Sequence, residues 1–194
     1  MKNAKIVTLV REPVSRNVSA FFDLLEVNNA GSGERHTVKS GYGFEVVVDA
    51  KNPQELEALF LEKFDHETPL VFFDREFKGE LGIDVFSGEF PTSKGYQIIE
   101  NEKAQVLLLR LEDLNKCGPG AFKEFLDIDG FSIVKANVGN EKPYNNIYRN
   151  FLNTAVLPQS YLDEMYNSKY TRHFYSSKEI SRFRAKWNRQ PLSA

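Results

Sequence analysis

The spacing of apolar and polar residues predicts a strand, a tight turn and a helix at the start of the chain. Residues 5–10, "KIVTLV", form a short run rich in β-branched residues, which is typical of a buried strand. Pro13 suits the first turn of a helix, where its missing N–H costs nothing. The apolar residues that follow recur on one helical face: Val14, Val18, Phe21, Phe22 and Leu25.

The same reasoning predicts further elements along the chain. "PQELEALFLEKF" indicates a helix that starts at Pro53, and "TPLVFFDREFKGELG" indicates another that ends at Gly82. The apolar run 106–111 predicts a central strand covered on both faces. "GPGAFKEFLDI" predicts turn residues followed by a short helix, and the chain beyond Pro143 predicts helices interrupted at Pro158.

Strands that alternate with helices predict an α/β architecture whose parallel sheet is flanked by helices. A chain of 194 residues is most simply one domain, residues 1–194. Residues 28–43 contain several glycines and few core candidates, which predicts a mobile loop. Residues 143–194 predict a helical C-terminal part that is rich in aromatic and basic side chains.

Composition and charge narrow the classes of function. A formal charge of −2 argues against broad electrostatic binding to nucleic acid or anionic lipid. The chain has no long uncharged apolar run, so we expect no transmembrane segment and a cytoplasmic location. The three histidines are scattered, and no cluster has metal-ligand spacing, so we expect no metal. The basic segment 169–189 is typical of an anion-binding surface or of a solvated helix face.

Arg11 stands between the first predicted strand and the helix that Pro13 begins. Ligands of α/β proteins collect at the carboxyl ends of strands, where helix N-termini attract anions. A guanidinium there can bind two phosphate oxygens, the Ser19 hydroxyl can donate to the same phosphate, and Arg16 can add charge or brace the turn. The pattern therefore predicts a phosphate site, although a helical serine often bonds to its own backbone instead.

The segment "REPVSRNVSAFF" resembles the 3′-phosphate-binding element of the sulfotransferases, Arg-x-Pro-x-x-Arg-x-x-Ser-x-(Phe/Tyr). The matching positions are Arg11, Pro13, Arg16, Ser19 and Phe21. "VLLLRLEDL" is similar to a strand-to-turn segment of that family. "FFDREFKGELGIDVF" and "MYNSKYTRHFYSSKEISRFRAKW" resemble bacterial capsular polysaccharide synthesis proteins of a carbohydrate-sulfotransferase-like kind. The resemblance covers most of the chain.

The resemblance implies a P-loop-NTPase-like sulfotransferase core and a cofactor, 3′-phosphoadenosine 5′-phosphosulfate (PAPS). It implies transfer of the sulfuryl group to a sugar hydroxyl in bacterial polysaccharide biosynthesis, which leaves adenosine 3′,5′-bisphosphate. By position, Arg11 and Ser19 would hold the 3′-phosphate, with Arg16 nearby. Lys169 and Arg172, in the matching C-terminal segment, are further candidates for contact with the cofactor.

The chain departs from the sulfotransferase pattern before the Arg-x-Pro motif. The family carries an earlier strand and a glycine-rich loop for the 5′-phosphosulfate, but only ten residues precede Arg11 and no G-x-x-x-x-G-K-[ST] occurs. We therefore expect a shortened or degenerate member whose isolated chain does not transfer sulfate. A missing first strand would leave a sheet edge open for a homodimer.

Three side chains are candidates for the catalytic base: Asp74 and Glu76 in "FFDRE", and His173 in the C-terminal segment. The two carboxylates could equally lie on a solvated helix surface, and His173 could simply pack among its aromatic neighbours. The alternative to an enzyme is a non-catalytic nucleotide- or glycan-binding module, or an assembly partner, derived from the same fold.

Overall fold

The computed structural model of the protein describes residues 4–29, 35–41, 43–49, 54–134 and 144–188. In these ranges the strands are β1 (Ala4–Val10), β2 (Leu25–Asn29), β3 (Arg35–Ser40), β4 (Phe44–Asp49), β5 (Tyr96–Glu100) and β6 (Ala104–Arg110). The α-helices are α1 (Pro13–Asp23), α2 (Gln54–Lys63), α3 (Thr68–Phe72), α4 (Leu114–Leu126), α5 (Asn145–Thr154), α6 (Gln159–Asn167), α7 (Lys169–Phe174) and α8 (Ser177–Trp187). A π-helix (Phe73–Leu81) continues α3, and a 3₁₀ turn (Leu111–Asp113) joins β6 to α4.

The chain divides into two compact units. The first contains residues 1–13, 67–134 and 164–182, and the second contains residues 14–66, 135–163 and 183–194. Each unit has its own three-stranded sheet, so the protein is α/β.

In the first unit the strand order is β1-β6-β5. The central strand β6 is buried throughout 106–109, because α4 packs Cys117, Ala121 and Phe125 against one of its faces and the other face is covered too. The prediction of a central strand covered on both faces is confirmed. β6 runs parallel to β1, with Val10 opposite Arg110, but antiparallel to β5.

The expected all-parallel sheet is therefore wrong, and the sheet is mixed. Glu100 and Ala104 are joined by a turn too short for the crossover that parallel strands require. Asn101 closes this turn, because its side-chain Oδ1 accepts hydrogen bonds from the backbone N–H groups of Lys103 (2.9 Å) and Ala104 (3.0 Å).

The prediction that β1 is a buried strand is also wrong. Of its residues only Val10 is buried, while Val7 and Leu9 are 41% and 50% exposed. The reason is position, since β1 stands at the end of the strand order in the described part of the first unit.

The second unit contains an antiparallel sheet of order β2-β3-β4, which sequence analysis did not predict. Helix α1 ends at Asp23, so Leu25 begins β2 instead of extending the helix. Within the segment 28–43, where a loop is expected, Asn28, Asn29 and residues 35–40 are paired strand residues. β3 has few apolar side chains, but it pairs on both sides, and cross-strand partners decide strand formation more than intrinsic propensity does. Residues 30–34 and 42 lie outside the described ranges.

Helix ends follow local chemistry. Gly82 ends the π-helix with a left-handed φ of 70°, and its N–H bonds to the Phe77 carbonyl, which confirms the predicted stop. The predicted turn at Gly118–Gly120 is wrong, because α4 already begins at Leu114 and continues through Pro119. At Gly118 an added Cβ atom would lie 2.9 Å from the terminal Cδ1 of Ile133, so that side chain would have to shift.

Candidate functional site

The carboxyl ends of the parallel strands β1 and β6 lie side by side in the first unit. Arg11 follows β1, and the hydroxyl of buried Tyr170 bonds to both of its backbone groups. The Arg11 N–H donates to this hydroxyl (3.2 Å), and the hydroxyl donates to the Arg11 carbonyl (2.9 Å). The Arg11 guanidinium has no hydrogen bond or ion pair with the described residues. The main chain is therefore fixed while the charged group is left available.

Two carboxylates at this end of the sheet are held by tyrosine hydroxyls. Buried Glu12 accepts from Tyr166 at 2.6 Å, and Glu112 accepts from Tyr175 at 2.9 Å and from the Glu12 N–H at 2.8 Å. Burial, together with these neighbours, raises the pKa of Tyr175 far above its usual range, so its hydroxyl remains a donor. The network ties the end of β1 to the turn after β6.

Arg110, the last residue of β6, is a buried hub. Its Nε donates to Asp113 (2.6 Å) and its Nη1 to Glu179 (3.0 Å). Its remaining bonds go to backbone carbonyls, at Phe174 (3.0 Å) and Thr92 (3.1 Å). Burial opposes its charge, but the hydrogen bonds and the two carboxylates still raise the pKa of Arg110 above its ordinary value. Sequence analysis did not predict this role of Arg110. The pattern that could have indicated it is a charged residue at the end of a buried apolar run.

The segment after the π-helix and the α7–α8 connection form a pocket of about 580 Å³ within the first unit. Its volume lies in the roughly 300–1,000 Å³ range of small-molecule sites. Its walls are Phe86, Ser87, Gly88, Glu89, Phe90, Thr92, Arg172, His173, Tyr175 and Ser176. Arg110 fixes both walls, because it bonds to the carbonyls of Thr92 on one side and Phe174 on the other. We call this cavity the Arg172 pocket.

His173 lines the Arg172 pocket, with its ring edge against Phe86 and Phe174 (centroid distances of 5.0 and 4.7 Å). Its Nε2 is buried and has no hydrogen-bond partner among the residues that the structure describes. Burial and the nearby Lys169 charge lower the pKa of His173, so the ring is neutral near pH 7. A proton-accepting role would require Phe86 or the ring to move, because Nε2 is shielded.

The structure separates the other candidates from this pocket. Lys169 forms an ion pair with Asp74 (3.3 Å) and lies 4.0 Å from the centroid of the Phe86 ring. Glu76 is exposed on the same π-helix as Asp74, and neither carboxylate lines the pocket. Arg172 does line it, is exposed, and has no side-chain partner among the described residues. The fold thus brings Arg172 and His173 to one cavity.

Arg16 and Ser19 belong to the second unit, whereas Arg11 belongs to the first. Both are half-buried on α1, and the Arg16 Nη1 donates to the Asn17 Oδ1 at 3.1 Å. The Ser19 hydroxyl has no hydrogen bond with the described residues. A phosphate site shared by Arg11 and Ser19 stays a prediction.

No group of histidine, cysteine, aspartate or glutamate side chains in the described part of the chain is arranged to hold a metal ion. None of the helices described there has both the length and the apolar character to cross a membrane.

The fold and the pocket thus define an α/β protein with a polar, aromatic-lined cavity beside the carboxyl end of β6. The family described as "Putative capsular polysaccharide synthesis protein" matches residues 45–176. This range is more than half of the chain, and the protein belongs to that family. It contains every residue of the Arg172 pocket, whereas Arg11, Arg16 and Ser19 precede it. No curated protein and no solved structure gives a significant match.

Proposed function

We propose that the protein is a sulfotransferase of bacterial polysaccharide synthesis in the cytoplasm, which transfers a sulfuryl group from PAPS to a sugar hydroxyl when the 5′-phosphosulfate loop of that family is supplied. For the 194-residue chain alone we expect no transfer. Membership of the capsular polysaccharide synthesis family supports the polysaccharide part of the proposal. The resemblance of residues 11–22 to the sulfotransferase phosphate element supports the nucleotide part. In this proposal Arg11, Arg16 and Ser19 contact the nucleotide, within a core of the sulfotransferase type.

The observation that carries the proposal is the state of Arg11. Tyr170 holds both of its backbone polar groups, and its guanidinium has no described partner at the carboxyl end of β1. The fixed main chain sets where the side chain starts, and the guanidinium can donate to two phosphate oxygens at once.

Sulfuryl transfer needs in-line positioning, positively charged side chains that stabilise the negative charge of the transferring group, and a base for the acceptor proton. PAPS supplies the activated sulfuryl group when bound. Of the three candidate bases, His173 fits best because it lines a pocket and its lowered pKa leaves the ring neutral. Asp74 is engaged by Lys169, and Glu76 is not among the residues that line the pocket. In this proposal Lys169, which lies over the Phe86 ring beside the pocket, supplies positive charge for the cofactor after its exposed ion pair with Asp74 opens.

A second candidate function is a non-catalytic nucleotide- or glycan-binding module or assembly partner. One observation favours it, namely that the only candidate base lining the Arg172 pocket has its Nε2 buried. Radiolabelled sulfate separates the two functions. Transfer from labelled PAPS to a polysaccharide acceptor supports the enzyme. Nucleotide binding without transfer, when the 5′-phosphosulfate loop is also supplied, supports the module.

Calorimetry with adenosine 3′,5′-bisphosphate tests the phosphate assignment. Arg11→Ala should weaken binding by about 1.5–3 kcal/mol, or roughly tenfold or more, because a charge-assisted bidentate contact is lost. Arg11→Lys should lose part of this, since lysine keeps the charge but not the planar fork. Arg75→Ala is the matched control, because Arg75 is 65% exposed and its nearest described carboxylate, Glu67, is 3.9 Å away. Equal affinity of wild type and Arg11→Ala would refute the assignment.

A further inference from the structure

We propose that the Arg172 pocket binds a sugar that carries a carboxylate, such as a uronic acid unit of a polysaccharide. The binding site is inferred from the pocket itself. Only the further statement that this sugar is the acceptor rests on the proposed function.

The first argument is the charge of the pocket. Arg172 and Glu89 both line it, both are exposed, and neither has a side-chain hydrogen bond or ion pair with the described residues, including each other. A ligand with one anionic group and several hydroxyls satisfies both charges. Its carboxylate accepts two hydrogen bonds from Arg172, and its hydroxyls donate to Glu89. A ligand with several phosphates would instead bring repeated negative charge close to the Glu89 carboxylate.

The second argument is the mixture of surfaces in the walls. Phe86, Phe90 and Tyr175 supply apolar ring surface, against which the C–H groups of a sugar can pack. Thr92 and Ser176 add hydroxyl groups to the lining, although the Ser176 hydroxyl already donates to Glu179. The accessible lining is more polar than apolar, which suits a ligand that carries several hydroxyl groups.

The third argument is that the walls are held in place. The guanidinium of Arg110 bonds to the Thr92 and Phe174 carbonyls, and Glu179, its ion-pair partner, accepts hydrogen bonds from Ser176. The Ser176 hydroxyl donates to Glu179 at 2.6 Å, and the Ser176 N–H donates to the same carboxylate oxygen at 2.9 Å. A pocket fixed in this way needs little ordering when a ligand enters, which favours affinity.

Three monosaccharides test the proposal by titration of the full chain, followed by calorimetry or NMR. D-glucuronate carries the carboxylate, D-glucose is its neutral counterpart, and D-glucose 6-phosphate carries a different anion. We expect D-glucuronate to bind at least tenfold more tightly than D-glucose, since a charge-assisted bidentate contact is lost with the neutral sugar. D-glucose 6-phosphate should bind more weakly than D-glucuronate, because its double charge faces Glu89.

Variants locate the binding. Arg172→Ala should lower the affinity for D-glucuronate at least tenfold and leave that for D-glucose unchanged, and Arg172→Lys should lie between wild type and Arg172→Ala. Arg75→Ala is again the exposed control and should have no effect. Circular dichroism verifies that each variant is folded. Should Arg172→Ala fail to fold, Arg172→Lys and the comparison of the three sugars still decide the question.

The inference is overturned by equal affinities for D-glucuronate and D-glucose, by tighter binding of D-glucose 6-phosphate, or by unchanged D-glucuronate binding in folded Arg172→Ala. Its failure is distinguishable from that of the proposed function. Loss of adenosine 3′,5′-bisphosphate binding with intact D-glucuronate binding removes the sulfuryl donor and leaves the sugar site. The reverse result leaves the nucleotide site and removes the sugar site.

Discussion

Replacing Arg110 by methionine should destabilise the first unit more than the loss of any exposed charge. The side chain of Arg110 is 4% exposed, and it forms ion pairs with Asp113 and Glu179, whose side chains are each 24% exposed. Methionine retains most of the volume but removes the guanidinium. Two partly buried carboxylates and two backbone carbonyls then lose the bond from this guanidinium, while Glu179 keeps its bonds from Ser176.

The expected loss in the free energy of unfolding follows from the polar groups that lose the Arg110 guanidinium. Removing one partner of a buried ion pair costs about 3–5 kcal/mol, because the remaining charges keep their desolvation penalty. In a chain of this size each kcal/mol lowers the melting temperature by about 2–4 °C, so we expect a decrease of roughly 6–20 °C. Asp113 and Glu179 are not fully buried, and solvent screening places the expected value towards the lower end of that range.

Urea denaturation followed by circular dichroism measures this effect directly. Arg75→Met serves as the control, because Arg75 is 65% exposed and should change the free energy of unfolding by less than about 0.5 kcal/mol. The argument is refuted if Arg110→Met and Arg75→Met cost the same, or if Arg110→Met lowers the free energy of unfolding by less than about 1 kcal/mol.

Four further predictions concern Gly95, Tyr166, His173 and the edge strand β1. Gly95→Ala should lower the free energy of unfolding in urea by about 1–3 kcal/mol, because Gly95 has a φ of +79° and an added Cβ would lie 2.8 Å from Asp113 Cβ; a neutral result would contradict this. Tyr166→Phe should cost about 1–3 kcal/mol in the same assay, since the buried Glu12 carboxylate loses a 2.6 Å donor; unchanged stability would count against the network. Burial lowers the pKa of His173 below its usual 6.5, so the unfolded chain binds the proton more readily than the folded chain. The free energy of unfolding should therefore decline as the pH drops below about 6.5, and His173→Phe should reduce this decline. Identical pH profiles of the two proteins would disprove the assignment. Light scattering at high concentration should give the mass of two chains, because β1 stands at the end of its sheet with Val7 and Leu9 exposed. Val7→Lys should lower the measured mass to that of one chain. A wild-type mass of one chain would rule out pairing through β1.

Elements with strong local signals could be predicted from the sequence. The apolar run 106–111 identifies β6, because a strand buried on both faces needs no alternation. Gly82 identifies the end of the π-helix, because glycine readily adopts the left-handed backbone conformation in which its N–H bonds back to the Phe77 carbonyl. The stop at Gly82 depends on a contact within the same turn, whereas β6 is identified by its composition alone, which fits burial although its partner β1 is distant in sequence.

Elements decided by distant partners could not be predicted. The polar composition of β3 predicts a loop. The segment is a strand because β2 and β4 pair with it on both sides. The expectation of an all-parallel sheet is wrong for a different, local reason, since the direction of β5 is set by its short turn to β6, which sequence analysis did not identify.

The candidate site, too, could be predicted from the sequence only in part. His173 and Arg172 could be singled out as chemistry-bearing residues, but the opposite wall at 86–92 contains no motif. The two walls meet because Arg110 bonds to residues 18 and 64 positions away, Thr92 and Phe174. No periodicity in the sequence encodes such a contact.

The central claim is that the Arg11 guanidinium binds a nucleotide phosphate. A crystal structure of the protein with adenosine 3′,5′-bisphosphate tests it most directly. We predict a phosphate of the nucleotide at the carboxyl end of β1, with two of its oxygens about 2.7–2.9 Å from the Arg11 guanidinium nitrogens. Nucleotide bound elsewhere, or bound there with the Arg11 side chain turned away, would contradict the account.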